Sequence, residues 1–339
     1  MTPGRFSGDG SMIDRLVTVF GGAGFIGRHA VRALAKGGAG PRLRVPARKP
    51  NLANYLLPMG HVGQIQLMRA NVTNPDDVVR AVAGADAVVN LVGILNPASS
   101  GQSFEAIHVE APRTIARAAR EAGVGTLVHI STPGISPESE SAYARSKAQG
   151  EIALREEFPG ATILRPSLVF GPEDDFFNKF ANLARFLPAL PLIGGGHTKF
   201  QPVYVGDVAE AIVRCVDDPA TRGKTYELGG PAVYSFKQML EIILRESGRK
   251  RLLIPLPFAL ANLQAFFLQF LPGKLLTPDQ VTFLKTDNVV APDALTLDDL
   301  GIVPDSMEAI LPGYLWRFRR KGQYDNQAYE RVSGSPAAR

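Results

Sequence analysis

Tyr143 and Lys147 stand four residues apart in the run Tyr143-Ala144-Arg145-Ser146-Lys147, a spacing that puts both side chains on one face of a helix. An unperturbed phenol ionises near pH 10 and is a poor base at neutral pH, whereas an ammonium beside it stabilises the phenolate. Such a pair can pass a proton to or from a carbonyl or an alcohol while a nicotinamide handles the hydride. The pair follows, by twelve residues, a β-branched run that ends in Ser131 and Thr132. Alone the spacing is common; what surrounds it decides its meaning.

The strongest companion is Gly21-Gly22-Ala23-Gly24-Phe25-Ile26-Gly27, lying directly between an apolar strand pattern and a helical one. Gly24 lets backbone approach a pyrophosphate, Gly27 permits close helix packing, and the free N–H groups with the helix dipole attract the anion. Gly21, Gly24, Phe25, Ile26 and Gly27 are therefore candidate dinucleotide ligands. About 20 residues further on, a NAD-binding chain places an Asp or Glu to accept the ribose hydroxyls. Here the run is Val45-Pro46-Ala47-Arg48-Lys49, without an acid. Arg48 and Lys49 suit a 2′-phosphate held by charge-assisted hydrogen bonds, which favours NADPH (NADP+) over NADH; a solvated basic turn is the alternative.

These residues need a scaffold, and the first half of the chain alternates short β-branched runs with helical patterns, as a parallel sheet wound by βαβ units does. Strands are expected at Leu16–Phe20, Leu43–Ala47, Ile65–Met68, Ala87–Val92, Thr126–Ser131 and Thr162–Arg165. Helices are expected at Phe25–Lys36, Asp76–Val82, Phe104–Ala122 and Ala142–Glu157. The fold class is α/β: a doubly wound parallel Rossmann sheet with a smaller, mainly helical C-terminal lobe. The expected division is a loose tail over 1–14, a nucleotide-binding domain over 15–170, to which the chain returns around 201–230, a lobe over 171–322, and a tail over 323–339. Within the lobe, helices are expected at Asp207–Val216 and Ser235–Ser247.

Composition narrows the function classes. The 339 residues are 45% hydrophobic, and 37 Lys and Arg against 32 Asp and Glu leave a net charge of +5, too mild and dispersed a bias to argue nucleic acid. One cysteine, Cys215, excludes an internal disulfide framework and a cysteine-based zinc site; inside a helical pattern it reads as buried and apolar. The five histidines, His29, His61, His108, His129 and His197, include no metal-ligand pair at helical spacing, and no metal is expected. His129, on a buried strand, reads as packed and hydrogen-bonded. Glu173, Asp174 and Asp175 read as first-turn and capping charges before a helix. Residues 1–14 have the character of neither a signal peptide nor a transit helix. Leu252–Gly273 is uncharged, but its uninterrupted helical part, Phe258–Leu271, would be only about 21 Å long, shorter than a roughly 30 Å hydrocarbon core. With Arg249, Lys250, Arg251 and Lys274 around it, that helix suits either a membrane surface or the core of the lobe.

Together these features resemble the short-chain dehydrogenase/reductase superfamily in its extended or atypical branch, from Leu16 to about Trp316. The resemblance implies that Asn71 and Val72 lie near the adenine and that Asn90, Leu91, Val92 and Gly93 line the cofactor cleft. It implies that Thr132 or Ser131 orients a substrate, that Tyr143 donates the proton, and that Lys147 holds the nicotinamide ribose. Arg165, Pro166 and Ser167 would pass the nicotinamide. Phe20 departs from the Thr or Ser common before the first glycine, which weakens an epimerase assignment.

Leu57-Pro58-Met59-Gly60 with Gly63-Gln64, Val89 to Gly93, Phe170-Gly171-Pro172-Glu173-Asp174 with Asn178, and Gln201 to Val205 with Asp207 resemble a narrower group. That group is the NAD(P)H-binding accessory subunit of respiratory complex I, the alpha-subcomplex subunit 9 family, here in a bacterial form. The resemblance implies a bound NADPH with a structural role and complex I core subunits as partners, at the junction of peripheral and membrane arms near the quinone site. It also implies a peripheral place on the cytoplasmic face of the inner membrane, with lipid contact through Phe258–Leu271 left open. The alternative is a free-standing NADPH-dependent reductase, epimerase or dehydratase acting on a sugar nucleotide or an isoprenoid or quinone-like carbonyl through Thr132, Tyr143 and Lys147. A third reading is an NADP(H) binder that reports cofactor ratio to a partner.

Overall fold

The first strand, β1 (Leu16–Phe20), reads Leu-Val-Thr-Val-Phe and buries all five residues, so both its faces need cover and it must run through the middle of a sheet. Its one polar side chain is satisfied: the Thr18 hydroxyl donates to the Ala81 carbonyl at 2.8 Å. The computed structural model describes residues 15–36, 40–97, 102–268 and 277–324. The expected N-terminal tail, all but the first two residues of the C-terminal one, and the end of the apolar stretch at 269–276 lie outside the described residues.

From β1 the chain continues through α1 (Phe25–Ala35), β2 (Arg42–Ala47), β3 (Ile65–Arg69), α2 (Pro75–Val82), β4 (Ala87–Asn90), α3 (Ala111–Glu121), β5 (Thr126–Ile130), α4 (Ala142–Glu157) and β6 (Thr162–Pro166). Then follow β7 (Val169–Phe170), α5 (Phe176–Phe186), β8 (Ala189–Ile193), β9 (Lys199–Phe200), β10 (Val203–Tyr204), α6 (Val205–Asp217) and β11 (Thr225–Leu228). The central sheet is parallel and seven-stranded, in the order β11-β6-β5-β4-β1-β2-β3, with β1 in register against both β2 (Val17 opposite Leu43) and β4 (Thr18 opposite Val88). This is the expected doubly wound sheet. Its strand order reverses beside β1 and β4, where such sheets open a crevice at the carboxyl ends of the strands.

The chain divides into two compact units, Met1–Ser131 with Ser146–Leu164 and Ala209–Thr225, and Thr132–Arg145 with Arg165–Val208 and Tyr226–Arg339. In the first, Phe20, Ile115, Leu127 and Leu154 are essentially removed from solvent within one apolar cluster, each contributing about 1.5–3 kcal/mol by burial. The second is built on Phe170, Phe177, Leu190, Met239, Leu240 and Leu315. It continues through β12 (Tyr234–Ser235), α7 (Phe236–Glu246), β13 (Leu252–Leu256), α8 (Phe258–Leu268) and α9 (Pro278–Phe283), and adds the two-stranded pairs β7 with β10, β9 with β12, and β8 with β13. Asp174 organises its core: the carboxylate accepts from the backbone N–H of Phe177 at 2.6 Å and from the Tyr314 hydroxyl at 2.6 Å.

Two local departures from the sequence expectations bear on function. The expected strand Ala87–Val92 stops at Asn90, because the fully buried Asn90 side chain accepts from the Val92 N–H at 3.1 Å and turns the chain. The helix expected over Phe104–Ala122 begins as a π-helical turn, Glu105–Glu110, before α3.

Candidate nucleotide site

In the first unit the expected cofactor residues follow the carboxyl ends of neighbouring strands: Gly21 to Gly27 after β1, Arg48 and Lys49 after β2, Asn71 and Val72 after β3, Leu91 to Gly93 after β4, and Ser131 after β5. The glycine turn is tight. Gly24 N–H donates to Gly21 O at 2.9 Å, and a Cβ on Gly27 would sit 2.1 Å from Gly21 O, so α1 can start only with hydrogen there. Gly24 is the N-cap residue, no side chain caps the helix, and its first turn holds no acid; the amides and the dipole are left to an anion.

Two residues that the sequence reading passed over complete this corner. The Tyr55 hydroxyl, on the 3₁₀ segment Pro50–Met59, donates to Ala23 O at 2.7 Å. The Arg28 guanidinium lies over the Tyr55 ring at 5.1 Å, with Nε 3.4 Å from Gly24 O. Arg28, one turn into α1, was legible as a cation beside the glycines; Tyr55 had no local signal. Arg48 and Lys49 are exposed. Near the end of β3, a cavity of about 230 Å³ is lined by Val72, Thr73, Ser103, Glu105, Ala106 and Thr114, among others. Asn71 is engaged locally, its N–H donating to Asp77 Oδ2 at 2.7 Å.

Behind Leu91 to Gly93 lies a buried polar cluster. Asn90 Nδ2 meets His129 Nδ1 at 3.1 Å, and His108 Nε2 accepts from the Ile94 N–H at 3.1 Å. Burial, reinforced by the Lys147 charge, pushes His108 down to about 3 and His129 well below its ordinary range; both rings are neutral. Lys147 is buried and donates from Nζ to Ile130 O at 2.9 Å. Desolvation pulls its ammonium down to about 8, against the opposing pull of Glu151. Ser131 donates its N–H to Leu164 O at 2.7 Å, while its buried Oγ finds no hydrogen-bond partner among the described residues. An orphaned hydroxyl of this kind costs roughly 1–3 kcal/mol and fits a ligand that would satisfy it.

The second unit holds Thr132, which is buried, and Tyr143, which is half-buried. The Tyr143 ring packs edge-on to Phe283, 5.6 Å between centroids. Its phenol is pushed up to about 12, first by desolvation and then by the Asp279 carboxylate. Both causes oppose the lowering that an adjacent ammonium was expected to bring. Asp279 is the residue the sequence hid: it accepts from the N–H of Ala142 and Tyr143 at the start of α4 and from the Ser141 hydroxyl. It is also a first-turn acid of its own short helix, α9. Arg165 pairs with Glu227 at 3.3 Å, Pro166 ends β6 in a buried position, and the Ser167 hydroxyl lies 2.7 Å from Asn288 O. Arg165 and Ser167 are thus tied within their own unit. Among the described residues no group of His, Cys, Asp and Glu is arranged to hold a metal ion.

A glycine turn opening a helix beside the switch of a doubly wound sheet defines a dinucleotide-fold protein, and the chain belongs to the NAD dependent epimerase/dehydratase family, whose profile matches residues 17–229. Within that family it is related to the alpha subcomplex subunit 9 proteins. It is 36% identical over 329 residues to the mitochondrial NADH dehydrogenase (ubiquinone) 1 alpha subcomplex subunit 9 of Arabidopsis thaliana, covering 93% of this chain and 81% of the relative. It is 31% identical to the mitochondrial NADH-ubiquinone oxidoreductase 40 kDa subunit of Neurospora crassa, covering 94% and 83%. Among solved structures, the dTDP-glucose 4,6-dehydratase DesIV of Streptomyces venezuelae, crystallised with NAD, superposes with a TM-score of 0.67 at 20% identity, covering 92% of this chain and 99% of that one. That likeness speaks for the fold.

Proposed function

We propose that this chain is an NADPH-binding accessory subunit of a bacterial NADH:quinone oxidoreductase, in which the nucleotide acts as a structural ligand. The observation that carries the reading is the 31–36% identity to complex I subunits across nine-tenths of the chain. Arg28, Arg48 and Lys49 beside an uncapped, acid-free helix start support NADPH over NADH, because they offer cations to a 2′-phosphate where a NAD site needs a carboxylate. A ligand bound only by the folded state adds RT ln(1 + [L]/Kd), about 4 kcal/mol at a thousandfold excess.

The same reading puts the chain on the cytoplasmic face of the inner membrane, against the core subunits at the arm junction near the quinone site. No helix among the described residues is long and apolar enough to cross a membrane. A peripheral contact is supported by α8, whose Leu260, Leu263 and Phe266 are more than half exposed, close in sequence to Arg249, Lys250 and Arg251. A native gel of gently solubilised source membranes, probed for this chain and stained for NADH dehydrogenase activity, tests the assignment. Co-migration with the large active band is expected; migration as one or two free chains would overturn it.

A free-standing reductase is the second reading, favoured by the intact Tyr143 and Lys147 on α4 and by the orphaned Ser131 hydroxyl. In that case the bound nicotinamide would supply the hydride, Thr132 would hold the substrate oxygen and Tyr143 would give the proton. The identity to complex I subunits over nine-tenths of the chain is why the structural role stands first.

A further inference from the structure

His108 sits in the π-helical turn Glu105–Glu110, a rare winding that adds a residue to the turn and recurs at functional sites. Contacts with Ile94, Ser146 and Phe104 fix its ring. Nε2 accepts from the Ile94 N–H at 3.1 Å, Nδ1 lies 2.9 Å from Ser146 Oγ, and Phe104 stacks on the face, 5.2 Å between centroids at 19°. Because Nε2 faces an amide donor it carries no proton, so a neutral ring has its hydrogen on Nδ1 and donates it to Ser146. Desolvation and the Lys147 charge hold the ring neutral, down to about pH 3. The π-turn also touches α4 through backbone: a Cβ on Gly150 would lie 1.8 Å from His108 O. One imidazole therefore ties the segment after β4 to the helix that carries Lys147.

We propose that His108 is a positioning residue: as a single neutral tautomer braced by Ser146, it holds the Leu91–Ile94 backbone in the conformation that receives the nucleotide. This rests on the reading that NADPH lies along Leu91 to Gly93. The π-turn is what brings the ring to the Ile94 amide, and the glycine at 150 is what lets the turn sit against α4. His108 acts through Ile94 and has no chemical step of its own.

The test compares NADPH affinity, and the emission of the bound nicotinamide, in the full-length wild type, His108→Phe and His108→Gln. Phe keeps an aromatic stack on Phe104 and removes both hydrogen bonds; Gln offers an amide oxygen to Ile94 and an amide nitrogen to Ser146. We expect His108→Phe to weaken NADPH about tenfold, the worth of one good hydrogen bond, with altered nicotinamide emission, and His108→Gln to recover most of both. A residue that merely fills space would lower the thermal stability of the nucleotide-free protein and leave affinity and emission alone. That result, or a loss not recovered by Gln, overturns the proposal. If His108→Phe does not fold, Ser146→Ala gives the same reading: weaker NADPH binding supports the proposal and unchanged binding overturns it. Wild type that fails to bind NADPH removes the cofactor reading itself, a distinct outcome from wild type that binds and variants that bind equally.

Discussion

The carboxylate of Asp279 lies 2.7 Å from the backbone nitrogen of Ala142 and 3.2 Å from that of Tyr143, so the first turn of the tyrosine helix is capped by an acid 136 residues downstream of Tyr143. A cap of this kind satisfies amides that have no intrahelical partner and sets a negative charge at the positive end of the dipole. The same charge disfavours a phenolate on Tyr143. Asp279→Asn is therefore expected to cost about 1 kcal/mol in denaturant unfolding and to bring the Tyr143 phenol down. An ultraviolet tyrosine titration, differenced against Tyr143→Phe to isolate that ring, checks the second effect; an unmoved titration would remove Asp279 as a contributor beside desolvation.

The glycine turn separates ligand from fold. At Gly24 an added Cβ would meet only Gly21 O, at 3.2 Å, whereas at Gly27 it would meet Gly21 O at 2.1 Å and Gly22 Cα at 2.6 Å. Gly24→Val should lower the thermal midpoint of the nucleotide-free protein less than Gly27→Val does, and cost most of the NADPH binding. Gly27→Val should lower that midpoint more, because the helix must move away from the strand turn. Calorimetric titration and thermal melts of the two variants check both; a Gly24→Val chain that still binds NADPH fully would place the pyrophosphate elsewhere.

Cofactor choice turns on the basic run after β2. If Arg48 and Lys49 hold the 2′-phosphate, replacing both by Ala should weaken NADPH by about 10- to 100-fold, since each charge-assisted bond contributes roughly 1.5–3 kcal/mol before solvent screening. NADH binding should change little, and the loss should shrink at high salt. Equal losses for both nucleotides in direct titrations would return the pair to the status of a solvated turn.

Much of this site was legible in the sequence because nucleotide-fold chemistry is local. The glycines, the basic run and the Tyr-Lys spacing each lie within a few residues on one strand end or one helix face, so periodicity and turn composition suffice. What the sequence hid was either long-range or a matter of backbone winding. Asp279 caps a helix that begins 137 residues earlier, and nothing local in the sequence links the two. The π-turn at Glu105–Glu110 reads as ordinary helix, because one extra residue per turn leaves no mark on an apolar pattern only two turns long. The Tyr143 phenol is a related case: spacing places an ammonium on the same helix face, but the direction of the shift is set by desolvation and by a carboxylate remote in sequence.

The exposed side of α8 makes a surface prediction. Leu260, Leu263 and Phe266 are 54%, 58% and 52% exposed, and basic residues near an apolar helix favour anionic headgroups. Replacing Leu263 and Phe266 by Ser should reduce sedimentation with phosphatidylglycerol vesicles without disturbing NADPH binding, and neutral vesicles should bind the wild type less. Unaltered sedimentation of the double variant would move the contact away from this helix.

Lys147 carries a pH dependence whose sign follows from its burial. Its folded-state value, about 8, lies below the 10.5 of an unperturbed lysine, so between those values the unfolded chain holds the proton that the folded chain has released. Stability then rises with pH through that window, and below pH 8 the full cost of the buried ammonium is present. Tyr143 titrates in the opposite sense: a phenol raised from 10.0 to about 12 makes stability fall as pH climbs above 10, so the clean window is pH 8 to 10. Over that range the nucleotide-free wild type should gain about 2 kcal/mol relative to Lys147→Met, measured as the difference between their denaturant-unfolding free energies at each pH. A difference that is flat with pH would mean that the ammonium is not desolvated in the folded chain.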